Sequence, residues 1–328
     1  ICACLVGSEM CIRDRLGAGA LGSTIGGTLA STNEVHFVDM WKEHVDLINK
    51  NGLKMTDENK DWYVKVDARY DGTGIGPADL VIVLVKSFAT KTAIQQLKET
   101  NVIGKDTLVM SLQNGLGNEE TIAEVIGEEN VISGKTYAGG RLIEAGYVAG
   151  RVKSKWTYIG ELDGKITDRI QNVCKTFNEA GLLCEVSDNI RGLIWDKLLI
   201  NVAAGALCGI THLPYGPLYE EEYLKDVAVM AVQEGIDVAK AAGVKLKNED
   251  PEYPWYAASE GLPPTFKTSI QQSLEFKRPT EIDFINGSVV EYGKKYGIKT
   301  PVNQTLVACV KGIEKYILQY EPSLHKEK

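Results

Sequence analysis

Residues 16–39 constrain the fold of this chain more than any other stretch. They begin with a G-x-G-x-x-G run at residues 17–22, continue with small residues at helical spacing, and end in the apolar segment 35–38 followed by Asp39. This order predicts a strand end, a tight turn, a helix and a second strand. The first glycine permits the turn, the second admits a pyrophosphate close to the backbone, and the third lets the helix pack on the strand. We therefore predict a dinucleotide-binding unit whose phosphates lie at the helix N-terminus.

Asp39 supports an inference about which dinucleotide is bound. A carboxylate at the tip of the second strand accepts hydrogen bonds from both ribose hydroxyls of NAD, and it repels the additional phosphate of NADP. Lys42 follows closely in the sequence and would soften that repulsion. His36 lies within the strand, where we expect it to be packed. The residues thus favour NADH over NADPH.

Composition and charge exclude several classes of protein. The chain has 328 residues, enough for two domains, and its net charge of −8 opposes electrostatic binding to nucleic acids or acidic membranes. No apolar run approaches the roughly 18 to 20 residues that a membrane helix needs. The seven cysteines are scattered, which favours a reducing compartment, and neither they nor the four histidines have metal-ligand spacing. We expect a cytoplasmic protein with no metal site.

Residues 1–15 conflict with the strand that should precede the glycines. That strand normally lies in the middle of a parallel sheet and is an almost continuous apolar run. This chain instead has three consecutive charged residues there, Arg13, Asp14 and Arg15. The charges indicate that residues 1–15 are not native, as would follow from a sequence-assembly or cloning artefact.

Strand and helix patterns alternate after Asp39. Strands are predicted at residues 63–68, 79–85 and 107–112, and helices at residues 41–51 and 91–100. The segment 79–85 is a continuous β-branched run, typical of a strand buried on both faces. The alternation predicts a right-handed, doubly wound sheet of Rossmann type.

The pattern changes twice in the rest of the chain. Short alternating runs with glycines between residues 131 and 160 predict antiparallel strands that complete the same sheet, followed by a helix at 166–180 and a strand at 182–186. Beyond residue 188 helices are predicted at residues 190–209, 219–242, 265–277, 280–296 and 305–320. We therefore predict a dinucleotide-binding Rossmann-like domain at residues 1–187 and an all-helical substrate and dimerisation domain at residues 188–328.

Two polar side chains in the helical part are candidates for chemistry. Lys197 stands four residues before Asn201 on a mostly apolar helix, so the two share one face. The residues alone favour a lysine that extends to solvent over a partly desolvated acid. Glu281 follows Thr280, which suits an N-cap, and Asp283 then resembles part of a capping box. The residues alone favour a Glu281 that complements the dipole of a helix beginning there.

Four motifs, taken in order, resemble the ketopantoate reductase (2-dehydropantoate 2-reductase) family. They are Lys86 after an apolar strand, the turn Asn114-Gly115-Leu116-Gly117, the helix segment Trp195-Asp196-Lys197-Leu198 with Asn201, and the segment Thr280-Glu281-Ile282-Asp283-Phe284-Ile285-Asn286-Gly287. The similarity extends from residue 16 to about residue 320. It implies a Rossmann-type domain, a helical domain, and NAD(P)H-dependent reduction of a 2-oxo acid to a 2-hydroxy acid. The first-choice reaction is reduction of ketopantoate to pantoate in pantothenate biosynthesis.

The resemblance also implies roles on the substrate side. Lys197 would be the general acid that protonates the carbonyl oxygen as hydride arrives, and Glu281 would hydrogen-bond the substrate hydroxyl. Asn201 and Ser269 would help to fix the substrate. Hydride addition builds negative charge on the carbonyl oxygen, so a nearby ammonium stabilises the transition state more than the ground state.

On the cofactor side, the resemblance implies that Asn114 lies near the nicotinamide and the substrate, and that Lys86 lies beside both. The hydride comes from the cofactor, so the reaction requires no protein nucleophile or metal. The full set of predicted cofactor-binding residues is Gly17, Ala18, Gly19, Ala20, Leu21, Gly22, Asp39, Lys86 and Asn114.

Some positions depart from the family pattern. Asp39 stands where the family often has a basic residue, which fits its usual preference for NADPH, so the residues and the resemblance disagree about the cofactor. Gly205 and Tyr215 stand where members often have Asn, and Ser273 where many have Asp. These departures weaken ketopantoate as the substrate more than they weaken 2-oxo acid reduction.

Two alternative functions stay open at this point. One is an NADH-dependent reductase of another branched 2-oxo acid, and the other is a dinucleotide-sensing regulatory protein without turnover. The Lys197 and Glu281 pair favours an enzyme, since a sensor has no reason to retain it. The expected partner is a small 2-oxo acid, not a nucleic acid or a membrane, and the long apolar helical part is compatible with a homodimer.

Overall fold

The computed structural model describes the backbone of residues 15–57 and 59–321, and side chains from residue 17 onward within these ranges. The chain forms two compact units. One contains the residues up to Gln113 together with Asn118–Ile190, and the other contains Asn114–Gly117 and the residues from Arg191 onward. The prediction that residues 1–15 are not native lies outside the described residues, except that the backbone of Arg15 forms part of the first strand.

The first unit is an α/β domain with two sheets. Its strands are β1 (Arg15–Leu16), β2 (His36–Val38), β3 (Leu53–Thr56), β4 (Asp61–Val64), β5 (Asp67–Arg69), β6 (Leu80–Val83), β7 (Leu108–Ser111), β8 (Val131–Thr136), β9 (Gly139–Glu144), β10 (Tyr147–Arg151), β11 (Thr157–Glu161) and β12 (Cys184–Val186). Its helices are α1 (Ala20–Leu29), α2 (Lys42–Asn51), α3 (Thr90–Glu99), α4 (Asn118–Ile126) and α5 (Asp168–Glu179).

The larger sheet has eight strands in the order β12-β11-β8-β7-β6-β1-β2-β5. Neighbouring strands are parallel except for β8 and β11, which are antiparallel. The order reverses direction at β1, as in a doubly wound sheet, where ligands bind at the carboxyl ends of the strands. The predicted Rossmann-type fold is therefore confirmed for this unit.

Helices cover both faces of the larger sheet. Leu80 and Ile82 of β6 belong to a core shared with α1, α2 and α5, whereas Val81 and Val83 belong to a core shared with α3 and α4. Successive side chains of a strand point to opposite faces, and all four are 0% exposed. Because both faces of the strand are buried, its sequence is an uninterrupted run of apolar residues.

The smaller sheet has four strands in the order β4-β3-β10-β9. The prediction that all strands between residues 131 and 160 complete the main sheet is wrong for β9 and β10. A Cβ at Gly140 of β9 would overlap Thr24 Oγ1 and the Ala20 carbonyl oxygen of α1. Glycine therefore lets β9 pack directly on α1, and β9 and β10 join β3 instead of the main sheet.

The strand predicted at residues 63–68 is also wrong as a single strand. Val64 ends β4 in the smaller sheet, and Asp67 begins β5, which pairs with β2 in the larger sheet. Alternation with a period of two indicates a strand but not the sheet in which it pairs. β3, which precedes β4, was not predicted.

The second unit is helical, and the structure describes no strand among its residues up to Glu321. This confirms the predicted α/β domain followed by a helical domain. Its helices are α6 (Ile190–Thr211), α7 (Tyr215–Tyr219), α8 (Glu222–Ala241), α9 (Tyr253–Ser259), α10 (Ser269–Glu275), α11 (Asn286–Tyr296) and α12 (Pro301–Lys315).

Helix α6 forms the centre of the second unit. By length and composition it is apolar enough to cross a membrane, with a mean hydropathy of 1.6 over its most apolar stretch, so the prediction that no apolar run approaches the length of a membrane helix is wrong. However, 61% of that stretch is buried inside the protein, and Val202, Ala206 and Cys208 are 0% exposed. A helix that is apolar on all sides is expected where other helices surround it. We therefore describe α6 as the core helix of this unit.

Candidate active site

The glycine turn joins β1 to α1 in the first unit. Gly17 has φ +92°, and its N–H donates to the Val38 carbonyl oxygen at 3.0 Å. A Cβ at Gly22 would overlap the Gly17 carbonyl oxygen, so the third glycine permits close packing of α1 on the turn. At Gly19 a Cβ would meet no atom within 4 Å. The three glycines therefore have the separate steric properties that the motif requires.

The N-terminus of α1 is suited to an anion. Gly19 is the N-cap residue, no side chain caps the helix, and its first turn contains no acidic residue. The first N–H groups of a helix lack partners within the helix and carry its positive dipole end. Together with the open space at Gly19, these features fit the pyrophosphate of a dinucleotide.

Asp39 has a structural role that its position in the sequence does not reveal. Its Oδ2 accepts the Ala18 N–H at 2.6 Å, and its Oδ1 accepts the Trp41 N–H at 2.8 Å. Its own N–H donates to the Arg69 carbonyl oxygen at 3.0 Å. The carboxylate therefore fixes the glycine turn, while each oxygen keeps a second acceptor position that fits a ribose hydroxyl.

The cations around Asp39 are engaged elsewhere. Lys42 Nζ lies 3.0 Å from Asp46 Oδ2 and 3.2 Å from the Tyr70 hydroxyl. These hydrogen bonds, to Tyr70 first and then Asp46, raise the pKa of Lys42. Arg69 donates from Nε to Asp67 at 2.7 Å and from a terminal nitrogen to the Thr73 carbonyl oxygen at 2.7 Å. The expectation that Lys42 softens the charge of Asp39 gains no support from these contacts.

His36 and Lys86 lie in the same unit. His36 is buried, with Nδ1 2.8 Å from Asp67 and Nε2 3.1 Å from Glu34, so its predicted packed role is confirmed. Lys86 is exposed and follows β6, at the carboxyl edge of the sheet. Its neighbour Val85 lies beside the glycine turn, since a Cβ at Gly17 would be 2.9 Å from Val85 N.

Gln113 holds the loop that carries Lys86, a role that the sequence does not predict. Its side-chain Nε2 donates to the Val85 carbonyl oxygen and to Thr90 Oγ1, both at 2.8 Å. The end of β7 is thereby tied to the loop between β6 and α3. A glutamine after an apolar strand was the available signal, but its partners lie more than 20 residues away in the sequence.

In the second unit, α6 presents Lys197 and Asn201 on one face, and both are partly exposed. Trp195, Leu198 and Leu199 around them are at most 4% exposed. The apolar neighbours thus anchor the helix and leave Lys197 at the border of the core.

The helix predicted at residues 280–296 is wrong in its first turn. Ile282–Phe284 form a 3₁₀ turn, Ile285 has φ −103° and ψ −95°, and α11 begins only at Asn286. Glu281 is the residue before the 3₁₀ turn and is 8% exposed. Glu281 therefore does not lie in the first turn of an α-helix, and the interpretation as a dipole-complementing residue does not hold.

A side chain distant in the sequence explains the altered helix start. Oε1 of Glu314, on α12, accepts the Thr280 N–H at 2.7 Å and the Thr280 hydroxyl at 2.5 Å. Asp283 pairs with Lys311 of α12 at 2.6 Å, instead of completing a capping box. Glu314 is itself 8% exposed. These contacts hold the segment around Glu281 against α12. The role of Glu314 could not be predicted from the sequence, because it has no local signature.

The turn Asn114–Gly117 contacts the segment that follows Glu281, within the second unit. Leu116 N–H donates to the Phe284 carbonyl oxygen at 3.1 Å. Gly115 has φ +90°, and a Cβ there would overlap the same carbonyl oxygen. This close approach requires glycine, and it brings the motif of Asn114 next to the motif of Glu281.

Ser269 is the exposed first residue of α10, which packs on α6. A Cβ at Gly205 of α6 would lie 3.2 Å from the Ile270 side chain. Tyr215 is 7% exposed and packs on Phe266, with ring centroids 4.9 Å apart. Gly205 and Tyr215, which depart from the family pattern, therefore serve packing in this chain.

The described residues thus form two groups of predicted site residues. The first unit contains the glycine turn, Asp39 and Lys86, and the second contains Asn114, Lys197, Asn201, Ser269 and Glu281. Their roles in binding and catalysis stay predictions. Within residues 15–57 and 59–321, no cluster of three or more His, Cys, Asp or Glu side chains is arranged to hold a metal ion.

Comparisons with known proteins match both units. The family model described as ketopantoate reductase PanE/ApbA matches residues 16–164, and the model of its C-terminal part matches residues 189–314. A 2-dehydropantoate 2-reductase of Pyrococcus horikoshii is 36% identical over 91% of this chain and 96% of that protein.

Two solved structures are similar over nearly the whole chain. A PanE/ApbA family ketopantoate reductase from Ralstonia eutropha JMP134 is 34% identical, with a TM-score of 0.84, and the match covers 93% of this chain and 99% of that chain. D-mandelate dehydrogenase in a ternary structure with NADH and anilino(oxo)acetate is 28% identical, with a TM-score of 0.85 and the same coverage.

Proposed function

Because the chain belongs to the ketopantoate reductase family and is an NAD(P)H-dependent oxidoreductase, we propose that it reduces ketopantoate to pantoate. The relatives named 2-dehydropantoate 2-reductase support this substrate over the two alternatives drawn from the sequence. The observation that carries the proposal is the contact of Leu116 with Phe284, which joins the Asn114 turn to the Glu281 segment in one unit.

In the proposed reaction, NAD(P)H supplies a hydride to the carbonyl carbon of the 2-oxo acid. Negative charge then develops on the carbonyl oxygen, and the Lys197 ammonium stabilises it and donates the proton that completes the hydroxyl. The products are the 2-hydroxy acid and the oxidised cofactor. Lys197 is returned to its ammonium form by a proton from solvent, so that atoms and charge balance.

The remaining second-unit residues orient the substrate in this proposal. The buried Glu281 accepts a hydrogen bond from the substrate hydroxyl, and Asn201 and Ser269 fix the substrate beside Lys197. Asn114 donates from its amide near the nicotinamide and the substrate. Holding the reacting groups in one geometry lowers the entropic part of the barrier.

We assign NADH as the preferred cofactor within the NAD(P)H class. The carboxylate of Asp39 repels a ribose phosphate, and the side chains of Lys42 and Arg69 are bound to other groups. The D-mandelate dehydrogenase relative, whose structure contains NADH, is consistent with this assignment. The usual preference of the family for NADPH argues against NADH. Measuring the cofactor preference therefore tests this assignment directly.

The substrate is tested by following oxidation of NADH and of NADPH with ketopantoate, 2-oxoisovalerate and phenylglyoxylate. We expect the highest kcat/KM for ketopantoate with NADH. A kcat/KM about tenfold higher for another 2-oxo acid would transfer the proposal to that substrate class. Turnover of none of them with either cofactor would support a dinucleotide-sensing protein instead.

A cytoplasmic location and a homodimer complete the proposal. Cys174, Cys184 and Cys208 are buried free thiols, which suits a reducing compartment. Burial raises the pKa of the Cys208 thiol to about 12, which disfavours its thiolate form. Light scattering of the purified protein measures the oligomeric state. A molar mass equal to that of one chain would exclude the homodimer.

A further inference from the structure

Two buried polar side chains lie behind the glycine turn and have no part in the reaction described above. Ser23 of α1 and His44 of α2 are both 0% exposed. Burying a hydroxyl and an imidazole is unfavourable unless both are hydrogen-bonded. Their partners therefore show what they stabilise.

The hydrogen bonds of these side chains form a chain with one direction. Gly146 N–H donates to His44 Nδ1 at 2.8 Å, so Nδ1 carries no proton and the proton of the neutral ring is on Nε2. His44 Nε2 lies 3.3 Å from Ser23 Oγ, and Ser23 Oγ donates to the Ala18 carbonyl oxygen at 2.7 Å. Because that carbonyl only accepts, the Ser23 oxygen is left to accept from His44.

This chain of hydrogen bonds ends at Ala18, the residue between the first two glycines of the turn. The carbonyl of Ala18 is bound by Ser23, and its N–H is bound by Asp39 Oδ2 at 2.6 Å. Ala18 is 0% exposed. Both polar groups of this residue are thus fixed, which sets the direction of the peptide that leads into Gly19 and the N-terminus of α1.

The surroundings keep His44 neutral and in place. The indole of Trp41 stacks on the His44 ring, with centroids 5.0 Å apart and planes 7° apart. Burial lowers the pKa of His44, against the opposing effect of the Asp39 carboxylate. At the other end of this chain of hydrogen bonds, Gly146 lies in the turn between β9 and β10. The His44 ring is therefore also held by the smaller sheet.

We infer that His44 and Ser23 are positioning residues for the cofactor, because they hold the Ala18 peptide in the orientation that presents the α1 N-terminus to the pyrophosphate. Neither side chain touches the cofactor. They act through the glycine turn, and they connect that turn to the β9–β10 turn of the smaller sheet. The inference rests on dinucleotide binding at the turn and not on the identity of the 2-oxo acid.

The test measures NADH affinity directly, by quenching of tryptophan fluorescence on titration, in Ser23→Ala, His44→Phe and the double variant. Phenylalanine keeps a ring for the stack with Trp41 but neither accepts from Gly146 nor donates to Ser23. We expect each single variant to bind NADH about tenfold more weakly, as for loss of a buried hydrogen bond. The double variant should be hardly weaker than either single one, because both interrupt the same chain.

Two further variants separate positioning from general loss of stability. His44→Gln restores an acceptor and a donor, and it should recover part of the NADH affinity. His36→Phe removes another buried histidine of the same domain, one that pairs with Glu34 and Asp67, and it should leave NADH affinity within about twofold. The kcat at saturating NADH should change little in Ser23→Ala.

NADH affinity within twofold of wild type in Ser23→Ala would overturn the inference, whether or not His44→Phe folds. Equal weakening by His36→Phe would also overturn it, since the effect would then follow from any buried histidine. NADH binding is measured without substrate. The inference can therefore be tested even if the protein does not reduce ketopantoate.

Discussion

The glycine turn of the first unit and the Glu281 segment of the second unit are held in place in different ways. The turn depends on backbone geometry, with Gly17 at φ +92° and Gly22 too close to the Gly17 carbonyl for a side chain. The Glu281 segment depends on side chains from elsewhere, chiefly Glu314 on Thr280 and Lys311 on Asp283. The tightest steric requirement for glycine at this segment is at Gly115, which belongs to another loop.

This difference predicts how each region responds to substitution. Steric overlap with a rigid backbone leaves little room to adjust. A substitution in the glycine turn should therefore either leave cofactor binding almost intact or nearly abolish it. Loss of one hydrogen bond in a side-chain network is partly compensated, so changes around the Glu281 segment should act in graded fashion on turnover. The two regions should also affect different constants, cofactor affinity for the first and turnover for the second.

The largest effect is expected for Lys197→Ala. Removing the proton donor should lower kcat by about 100-fold or more, the scale of general acid catalysis. NADH affinity should stay unchanged, because Lys197 lies outside the glycine turn. Lys294→Ala, which removes an exposed lysine paired with Glu291 in the same unit, is the matched control. A near-normal kcat in Lys197→Ala would remove Lys197 from the role of acid.

Gly22→Ala should break the glycine turn. The added methyl group forces the Gly17 carbonyl to move, so we expect about 100-fold weaker NADH binding or a clear fall in melting temperature. Gly19→Ala is the informative partner, because its methyl group enters open space in the protein. It should keep the melting temperature and still weaken NADH binding, since Gly19 is where we expect the pyrophosphate to approach. Wild-type affinity in both variants would contradict the placement of the cofactor.

Glu314→Ala should give a graded loss at the Glu281 segment. Thr280 loses the acceptor for its N–H and its hydroxyl, and we expect kcat/KM for ketopantoate to fall about tenfold with unchanged NADH affinity. Glu314→Gln keeps an acceptor oxygen and should restore most of the activity, which separates positioning from loss of a charge. An equal loss of NADH affinity and of kcat/KM for ketopantoate would instead indicate general destabilisation.

Asp39→Asn should shift cofactor preference by a smaller factor. Asparagine keeps one acceptor oxygen for the turn but removes the charge, so the ratio of kcat/KM with NADPH to that with NADH should rise several-fold to about tenfold. The ratio is measured in one preparation, which cancels any loss common to both cofactors. An unchanged ratio would refute the electrostatic argument for NADH.

The smallest effect is a pH dependence of stability from His44. Its pKa is lowered in the folded protein from the ordinary value of 6.5, so the unfolded chain binds the proton more readily. Stability is therefore fully present above pH 6.5 and falls as the pH drops below it. Urea unfolding at neutral and mildly acidic pH should show a smaller decline for His44→Phe than for wild type. Asp39 opposes the shift, and an identical decline in both proteins would exclude His44 as its source.

The same contrast explains how far the sequence predicts the structure. Backbone-determined features are local, so the βαβ unit at residues 16–39, the buried strand β6 and the helix α6 could all be predicted from short patterns. The sheet to which β9 and β10 belong could not, because their packing on α1 depends on Gly140 meeting Thr24 far away in the sequence.

The site divides in the same manner. Lys197 and Glu281 are candidate site residues because their motifs resemble those of a family, whereas local capping rules predict the wrong helix context for Glu281. Glu314, Gln113 and His44 were not assigned any role, because each acts on a segment brought near by the fold. Their side-chain types are ordinary for their elements, and no spacing in the sequence marks them.

The most direct test of this account is Glu281→Gln, with NADH affinity by titration and kcat/KM for ketopantoate measured on the same preparation. The glutamine keeps the size of the side chain and removes its charge. We expect NADH affinity within about twofold of wild type and a kcat/KM lower by about tenfold, because the amide oxygen still accepts the substrate hydroxyl but without the negative charge. A parallel fall of both constants, or a kcat/KM that does not change, would contradict the division between a cofactor-binding turn and a substrate-binding segment.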